Sequence, residues 1–408
     1  MAQNFQLVVI GGGAAGFFAA INYALLQPTH QVVIIEKTNR VLDKVRISGG
    51  GRCNVTHACF VPRELVKHYP RGERELLSAF SRFQPADTMA WFAERSVDLK
   101  IEADGRMFPT SDNSQTIVDC LYQAALQAGI KVWYKYAVEQ LQPTESGQWQ
   151  VKMTQNTHLL ADKVFFATGS SQSAWQILQQ LGHNIEKPVP SLFTFRLNDP
   201  LLSDLAGLSV PFVQIKLADS KLQSMGALLV THWGLSGPAV LRLSAWGALV
   251  LHERHYQTTI FVNWTGSYDT VDSCYDALSD LRQDEDYKRK QTANTPQFSI
   301  PLRLWKRLMG EFSALQWAAL SNKQLLQIAQ RLVAYPLQMV GKGVFKDEFV
   351  TCGGISLKEV DFKTMQSKHF SNIYFGGECL NIDAITGGFN FQAAWTTAWI
   401  AAQAMAAT

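Results

Sequence analysis

The chain has 408 residues, a hydrophobic fraction of 47%, a charged fraction of 17% and a net charge of +3. This composition belongs to a folded globular protein and excludes disordered, collagen-like, coiled-coil and disulfide-scaffold classes. The near-neutral charge carries no signature of a nucleic-acid or anionic-membrane partner.

The 28 glycines are an average complement, but 13 of them fall in five clusters. Two clusters lie near the N-terminus (Gly11–Gly16 and Gly49–Gly51). Three lie near the C-terminus (Gly353–Gly354, Gly376–Gly377 and Gly387–Gly388). The six cysteines form no C-x-x-C pair and no zinc-type spacing with histidine, so no metal is expected. No basic leader precedes Phe5, and no apolar run has membrane-spanning length. The expectation is a soluble cytoplasmic protein with reduced thiols and no membrane partner.

In chain order, Phe5–Ile10 is a continuous apolar run, as in a parallel strand buried on both faces. Gly11-Gly12-Gly13-Ala14-Ala15-Gly16 follows, then a helical apolar pattern over Ala14–Leu26. Gln31–Ile35 is a second buried strand ending at Glu36. Together they form a βαβ unit carrying G-x-G-x-x-G. Gly11 permits the tight turn, Gly13 lets a pyrophosphate approach the backbone, and Gly16 lets helix and strand pack closely. Ala14 and Ala15 open the helix, whose free N–H groups and positive dipole end suit a phosphate. Glu36 lies 20 residues past Gly16, where a carboxylate can accept from ribose hydroxyls, and Lys37 follows it. This motif does not separate FAD from NAD.

Ser48-Gly49-Gly50-Gly51-Arg52-Cys53-Asn54 is a second ligand loop, its glycines leaving backbone donors accessible. Arg52 is a candidate for stabilising charge on a phosphate or reduced ring. Cys53 has no partner cysteine and reads as a small half-buried residue. Thr116–Ala128 reads as a helix closed by Gly129, followed by strands at Ile130–Tyr136, Trp149–Met153 and Val164–Ala167. Thr168-Gly169 ends the last of these where the chain can pass close to a dinucleotide.

Near Pro188 the pattern changes. Strand-like runs at Phe212–Leu217, Gly226–Thr231 and Thr258–Trp264 suggest a β-rich insert over 188–266. A helical segment over 267–339 includes Asn322–Ala334 with Ser321 as N-cap. In Thr231-His232-Trp233-Gly234-Leu235-Ser236-Gly237-Pro238, Ser236 can cap a helix starting near Pro238. His232 is a candidate substrate-side general acid. Cys352-Gly353-Gly354-Ile355, after Phe349–Thr351, reads as a turn re-entering the first domain.

Ile373–Phe375 reads as a short buried strand, and Gly388–Ala407 as an Ala-rich helix. Between them, Gly377, Glu378 and Asp383 form an acidic loop suited to ribityl hydroxyls. Gly387, Gly388, Phe389 and Asn390 open the final helix, whose amides suit a flavin's pyrimidine edge. A nicotinamide-only enzyme has no need of this second half-site, so the pattern favours FAD. The fold class is α/β. A Rossmann-type (two-dinucleotide-binding) domain is built from residues 1–187 and 340–408, with a β-rich insert at 188–266 and a helical insert at 267–339.

ISGGGRCNVT, FFATG, THWGLSGPAVL, VTCGGISLKEV and FGGECLNID…TGGFNFQAAW occur in that order. Over essentially the whole chain this set resembles the YhiN-like flavoproteins, also called the aminoacetone oxidase or BaiN-like family. The resemblance implies an FAD-dependent oxidoreductase. Some family members oxidise small amines, and others reduce unsaturated steroid-like rings. It also implies that Gly11, Gly13, Gly16 and Glu36 hold the ADP half, and that Ser48, Gly51, Arg52, Cys53 and Asn54 form the second loop. Val138 falls at an adenine-contacting backbone position. Gly377, Glu378, Asp383, Gly387, Gly388, Phe389 and Asn390 cradle the flavin. Asn381 stands where relatives often carry Asp, and Cys352 where they often carry Ala.

The expected activity is hydride or electron transfer between FAD and a small organic substrate, with NADH or NADPH as a candidate transient reductant. Two alternatives remain at this level, a nicotinamide-only dehydrogenase and a non-enzymatic flavin-binding protein. Oligomeric state is not readable.

Overall fold

A computed structural model describes residues 3–343 and 350–408. The chain divides into two compact units: residues 3–188 with 350–408, and residues 189–343.

The first unit is built on a parallel sheet. We label β1 Gln3–Ile10, α1 Ala14–Leu26, β2 Val32–Glu36, α2 Ser114–Gln127, β3 Lys131–Tyr134, β4 Thr157–Phe166, β5 Ile373–Phe375 and α3 Phe389–Ala407. The order is β3-β2-β1-β4-β5, and every neighbouring pair is parallel. The apolar run Leu7–Ile10 pairs with Val32–Ile35 on one side and Lys163–Phe166 on the other. Leu7, Val8 and Val9 are wholly buried, as a strand covered on both faces requires. The N-terminal strand β1 and the C-terminal strand β5 both flank β4, so the two ends of the chain meet in one sheet.

Helices α1 and α3 lie together, with Phe18 5.2 Å from Trp395 and 4.6 Å from Trp91, ring to ring. Helix α3 is buried nearly all round. Its polar residues find partners. Gln392 accepts from the hydroxyls of Thr56 (2.6 Å) and Thr88 (2.9 Å), and Thr396 donates to the Phe83 carbonyl (2.9 Å).

The second unit contains a closed six-stranded barrel. Its strands, in order around the barrel, are Phe195–Leu197, Gly234–Ser236, Gln223–Thr231, Ser209–Leu217, Thr258–Asn263 and Tyr335–Lys342. Alternate residues Val213, Ile215 and Leu217 point inward and are wholly buried. Helices Val271–Gln283, Leu302–Met309 and Asn322–Val333 share this core through Leu278, Trp305 and Leu332. Barrel and helices therefore have one core, and the last barrel strand lies beyond the helical segment in sequence. Ser321 caps Asn322–Val333 in a reciprocal capping box with Gln324.

Two local expectations are corrected. Ser236 does not cap the helix Pro238–Trp246. It ends a barrel strand, and Gly237 at φ +96° occupies the N-cap without a side-chain bond. Cys352–Ile355 is not a turn but part of strand Val350–Ile355, which pairs with Ile185–Ser191. Phe349, which opened that reading, lies outside the described residues.

Candidate functional site

The glycine turn between β1 and α1 divides into packed and open positions. Gly11 stands at φ +110°, and a side chain there would meet the Ala167 carbonyl. A side chain at Gly16 would meet the carbonyl oxygen of Gly11, so helix and turn touch backbone to backbone. At Gly13, the α1 N-cap, a Cβ would meet nothing within 4 Å. The N–H groups of Ala14, Ala15 and Gly16 have no acceptor within the helix. An open glycine beneath unsatisfied amides suits a pyrophosphate.

Glu36 ends β2 with both carboxylate oxygens engaged. Oε2 accepts from the Gly12 N–H (2.9 Å) and Oε1 from the Thr38 N–H (2.8 Å). The acid thus shapes the turn, and its remaining lone pairs are available to a ribose. Lys37 Nζ donates to Ser171 Oγ at 3.4 Å. Val138 is half-buried at the start of strand Val138–Pro143. Thr168 follows β4, and its Oγ1 is buried without a partner among the described residues. Gly169 is at φ +56°, and Glu378 Oε2 lies 3.8 Å from where its Cβ would be. The segment after β4 and the Glu378 loop are therefore neighbours.

Ser48 to Asn54 follows a short helix beginning at Asp43. Gly49, Gly50 and Gly51 take φ of 57°, 68° and 85°, three consecutive left-handed residues that only glycine adopts readily. Gly50 and Gly51 face open space, whereas a side chain at Gly49 would meet the Asn54 N–H and the Phe108 ring, each at 2.9 Å. The Ser48 carbonyl accepts from Cys53 N–H at 3.0 Å, closing the loop.

The Arg52 guanidinium stacks 3.9 Å over Phe108 and pairs with Glu102 (2.6 Å) and Asp112 (3.4 Å). Its charge is therefore already countered by protein. Cys53 is wholly buried rather than half-buried, and burial pushes its thiol up to about 12. With its amide oriented so that the nitrogen faces the carbonyls of Met107 (3.2 Å) and Thr56 (3.0 Å), Asn54 donates to both and its oxygen accepts from Gly388 N–H (3.0 Å). This amide fastens the second loop to the start of α3.

At the C-terminal side, Gly377 is at φ +70° and its N–H donates to Thr397 Oγ1 at 3.0 Å. Glu378 pairs with Lys44, which lies ahead of the second loop. Asp383 is wholly buried and held bidentately by Arg71, so its carboxylate is engaged by a guanidinium within the protein. Gly387 and Gly388 take φ of 134° and 90°, and a Cβ on Gly388 would lie 2.5 Å from the Thr56 carbonyl. Asn390 accepts from Ala384 N–H (2.9 Å) and donates to the Ala384 carbonyl (3.2 Å), fixing the loop before α3.

The Phe389 ring stacks with those of His57 (4.6 Å) and His68 (4.2 Å). Sequence reading missed both histidines. His57 has a signal, three residues past Asn54. Its Nε2 contacts the Asp104 carbonyl (3.1 Å), its Nδ1 is buried without a partner among the described residues, and burial lowers its pKa. His232 lies in the second unit, in the turn between two barrel strands, whereas the other residues above all belong to the first.

The residues present fit FAD. Open glycines line two loops, unsatisfied amides open α1, and two buried polar atoms, Thr168 Oγ1 and His57 Nδ1, lack protein partners among the described residues. The Asn54 amide meets Gly388, and a Cβ on Gly377 would lie 3.0 Å from that of Ala15, so the second loop, the C-terminal loop and the first turn of α1 are neighbours.

Comparison with known proteins agrees. The family described as HI0933-like protein Rossmann domain matches residues 5–404. A ribosomal RNA dihydrouridine synthase of Escherichia coli (strain K12) is 28% identical over 98% of each chain. A 3-dehydro-bile acid delta(4,6)-reductase of Clostridium scindens is 24% identical over 98% of this chain and 99% of its own. A flavocytochrome c3 fumarate reductase in its open conformation shares the fold, with a TM-score of 0.52 at 15% identity over 99% of this chain and 78% of its own. Among the described residues no helix is long and apolar enough to cross a membrane. The chain belongs to the HI0933-like family and is an FAD-dependent oxidoreductase built on that family's Rossmann domain.

Proposed function

We propose that the protein reduces a ring carbon–carbon double bond conjugated to a carbonyl, drawing on NADH or NADPH. FAD, when bound, supplies the hydride chemistry. The chain contributes binding and orientation: the α1 amides hold the pyrophosphate, Glu36 the adenosine ribose, and the amides opening α3 the polar edge of the ring.

The observation that carries this reading is the cradle itself, where open Gly13, Gly50 and Gly51 and, unpartnered among the described residues, Thr168 Oγ1 and His57 Nδ1 suit a flavin dinucleotide, with no thiol redox pair to share its chemistry. All six cysteines are free, and burial pushes Cys53 and Cys379, the two beside the cradle, up to about 12. Such thiols stay protonated and unreactive at neutral pH, so the redox chemistry rests on the cofactor. The names of two full-length relatives support the reaction type. One denotes formation of dihydrouridine and the other reduction of a bile-acid diene, and both add hydrogen to a ring double bond near a carbonyl.

A net charge of +3 supports a small molecule as substrate. The second reading, a uracil ring within RNA, is favoured by the relatives named for ribosomal RNA. Six free thiols support a cytoplasmic, reducing location.

The test is anaerobic reduction of the holoenzyme with NADH and then NADPH. A 3-keto-4,6-diene steroid, or an unmodified ribosomal RNA transcript, is then added. Loss of the reduced-flavin spectrum and a product heavier by two hydrogens are expected with one of them. Reoxidation by neither, with turnover of a small amine and oxygen instead, overturns the proposal.

A further inference from the structure

Beyond the residues assigned to the cofactor, three metal-ligating side chains from distant parts of the sequence converge in the first unit. His183 follows helix Gln172–Gln180, Glu359 ends the turn Leu357–Glu359, and His369 follows the short strand Gln366–Ser367. One ligand atom from each can be chosen so that all three lie within 4.8 Å of one another. His183 Nδ1 is 2.9 Å from Glu359 Oε2, and His369 Nε2 is 3.6 Å from the same oxygen. Two nitrogen or oxygen ligands around one tetrahedral zinc ion stand about 3.3 Å apart. The two separations to Glu359 Oε2 lie on either side of that value.

The surroundings orient the ligands. The His183 side chain is wholly inaccessible, packed edge-on against Phe375 (5.3 Å) and His369 (4.9 Å), ring to ring. The backbone N–H of Asn184 donates to both oxygens of Glu359, at 3.1 and 3.0 Å, which fixes the carboxylate. Ser367 Oγ lies 3.2 Å from His183 Nε2. Ser367 Oγ already accepts from the backbone N–H groups of His369 (3.0 Å) and Phe370 (3.1 Å), so its hydroxyl donates to Nε2 and the metal-free ring points Nδ1–H at Glu359, a proton that a bound cation displaces. The His369 side chain is 42% exposed, which leaves a path in and an open fourth position for water.

We propose that His183, Glu359 and His369 form a binding site for a divalent late first-row transition metal of the zinc type. Two imidazoles and one carboxylate are the borderline donor set such ions take. The ion clasps the turn at Glu359 and the turn at His369 to the segment after Gln172–Gln180. The sequence spacing hides it, because the three residues share no local motif.

The test uses chelator-treated holoenzyme and two probes, Zn²⁺ by calorimetry and Co²⁺ by its visible d–d bands, which lie at longer wavelength than the flavin bands. One ion per chain is expected, with Co²⁺ displaced by Zn²⁺. His369→Ala, at an exposed position, and Glu359→Gln, which keeps an acceptor for Asn184, should each weaken binding by about tenfold or more. Flavin absorbance and melting temperature report that both variants are folded. Equal uptake by wild type and both folded variants, or no uptake by wild type, overturns the site.

Discussion

Gly13 and Gly16 sit three residues apart and have opposite surroundings. A Cβ at Gly13 meets nothing, so Gly13→Ala leaves the apoprotein's stability nearly unchanged while its methyl stands where the pyrophosphate must approach. A lost interaction of about 1.4 kcal/mol is a tenfold fall in affinity, and at least that fall in FAD affinity is expected. A Cβ at Gly16 meets the Gly11 carbonyl, so Gly16→Ala should cost about 1–3 kcal/mol of stability through overpacking. Flavin titration and denaturant melts of the two apoproteins separate the effects, and equal behaviour of the two variants would contradict this assignment. The thiols obey a similar distinction. Cys53 and Cys379 are raised to about 12, so at pH 7 they remain protonated, and the thiolate fraction appears only as pH climbs toward that value. Iodoacetamide treatment of the native protein at pH 7, followed by peptide mass spectrometry, should find both unmodified and flavin binding intact.

At the scale of elements, the second loop is held from outside itself. Arg52 lies over Phe108 and beside Glu102, and Asn54 reaches Met107, so the hairpin strand Arg106–Pro109 supports the three left-handed glycines. Arg52→Ala should therefore weaken FAD binding several-fold by loosening the loop. The flavin midpoint potential should move little, because Glu102 and Asp112 already counter the guanidinium charge. A large shift in potential would instead place the charge at the ring. In the second unit, Ser321→Ala removes one half of a reciprocal capping box and should cost about 1 kcal/mol, measured by chemical denaturation.

These elements also show what sequence makes legible. The helix Ala14–Leu26, the strand Ile373–Phe375 and the Ser321 cap are local patterns, set by apolar periodicity and by a side chain three residues from its N–H partner. Asp383 reads in sequence as one acid of the loop before the final helix. Its partner Arg71 is 312 positions away, and no local pattern announces that bond. Ser236 misled for a related reason. Ser-Gly-Pro suits a cap, but pairing of Gly234–Ser236 with Gln223–Thr231 claims the serine for a strand.

For the whole molecule, discontinuity in sequence has a physical consequence. The first unit depends on its last helix. Trp395 Nε1 donates to the Val55 carbonyl at 3.0 Å, Gln392 accepts from Thr56 and Thr88, and the Gly388 N–H meets Asn54. Removing residues 389–408 would leave Thr56 and Thr88 without their buried acceptor and uncover Phe18 and Phe92, which pack against Trp395. Each unsatisfied buried group costs about 1–3 kcal/mol, against a total domain stability of about 5–15 kcal/mol. A chain ending at Gly388 should therefore lose the folding transition of the first unit and purify without flavin. Residues 189–343, by contrast, are continuous and close a barrel with no free edge around their own core. Expressed alone, that segment should melt cooperatively, bind no FAD and show no shift of its transition when FAD is added. The full-length protein should be stabilised by about 2.7 kcal/mol at free FAD a hundredfold above its dissociation constant. Calorimetry of the three proteins with and without FAD checks all of this, and a non-cooperative 189–343 segment would show that the barrel does not fold independently.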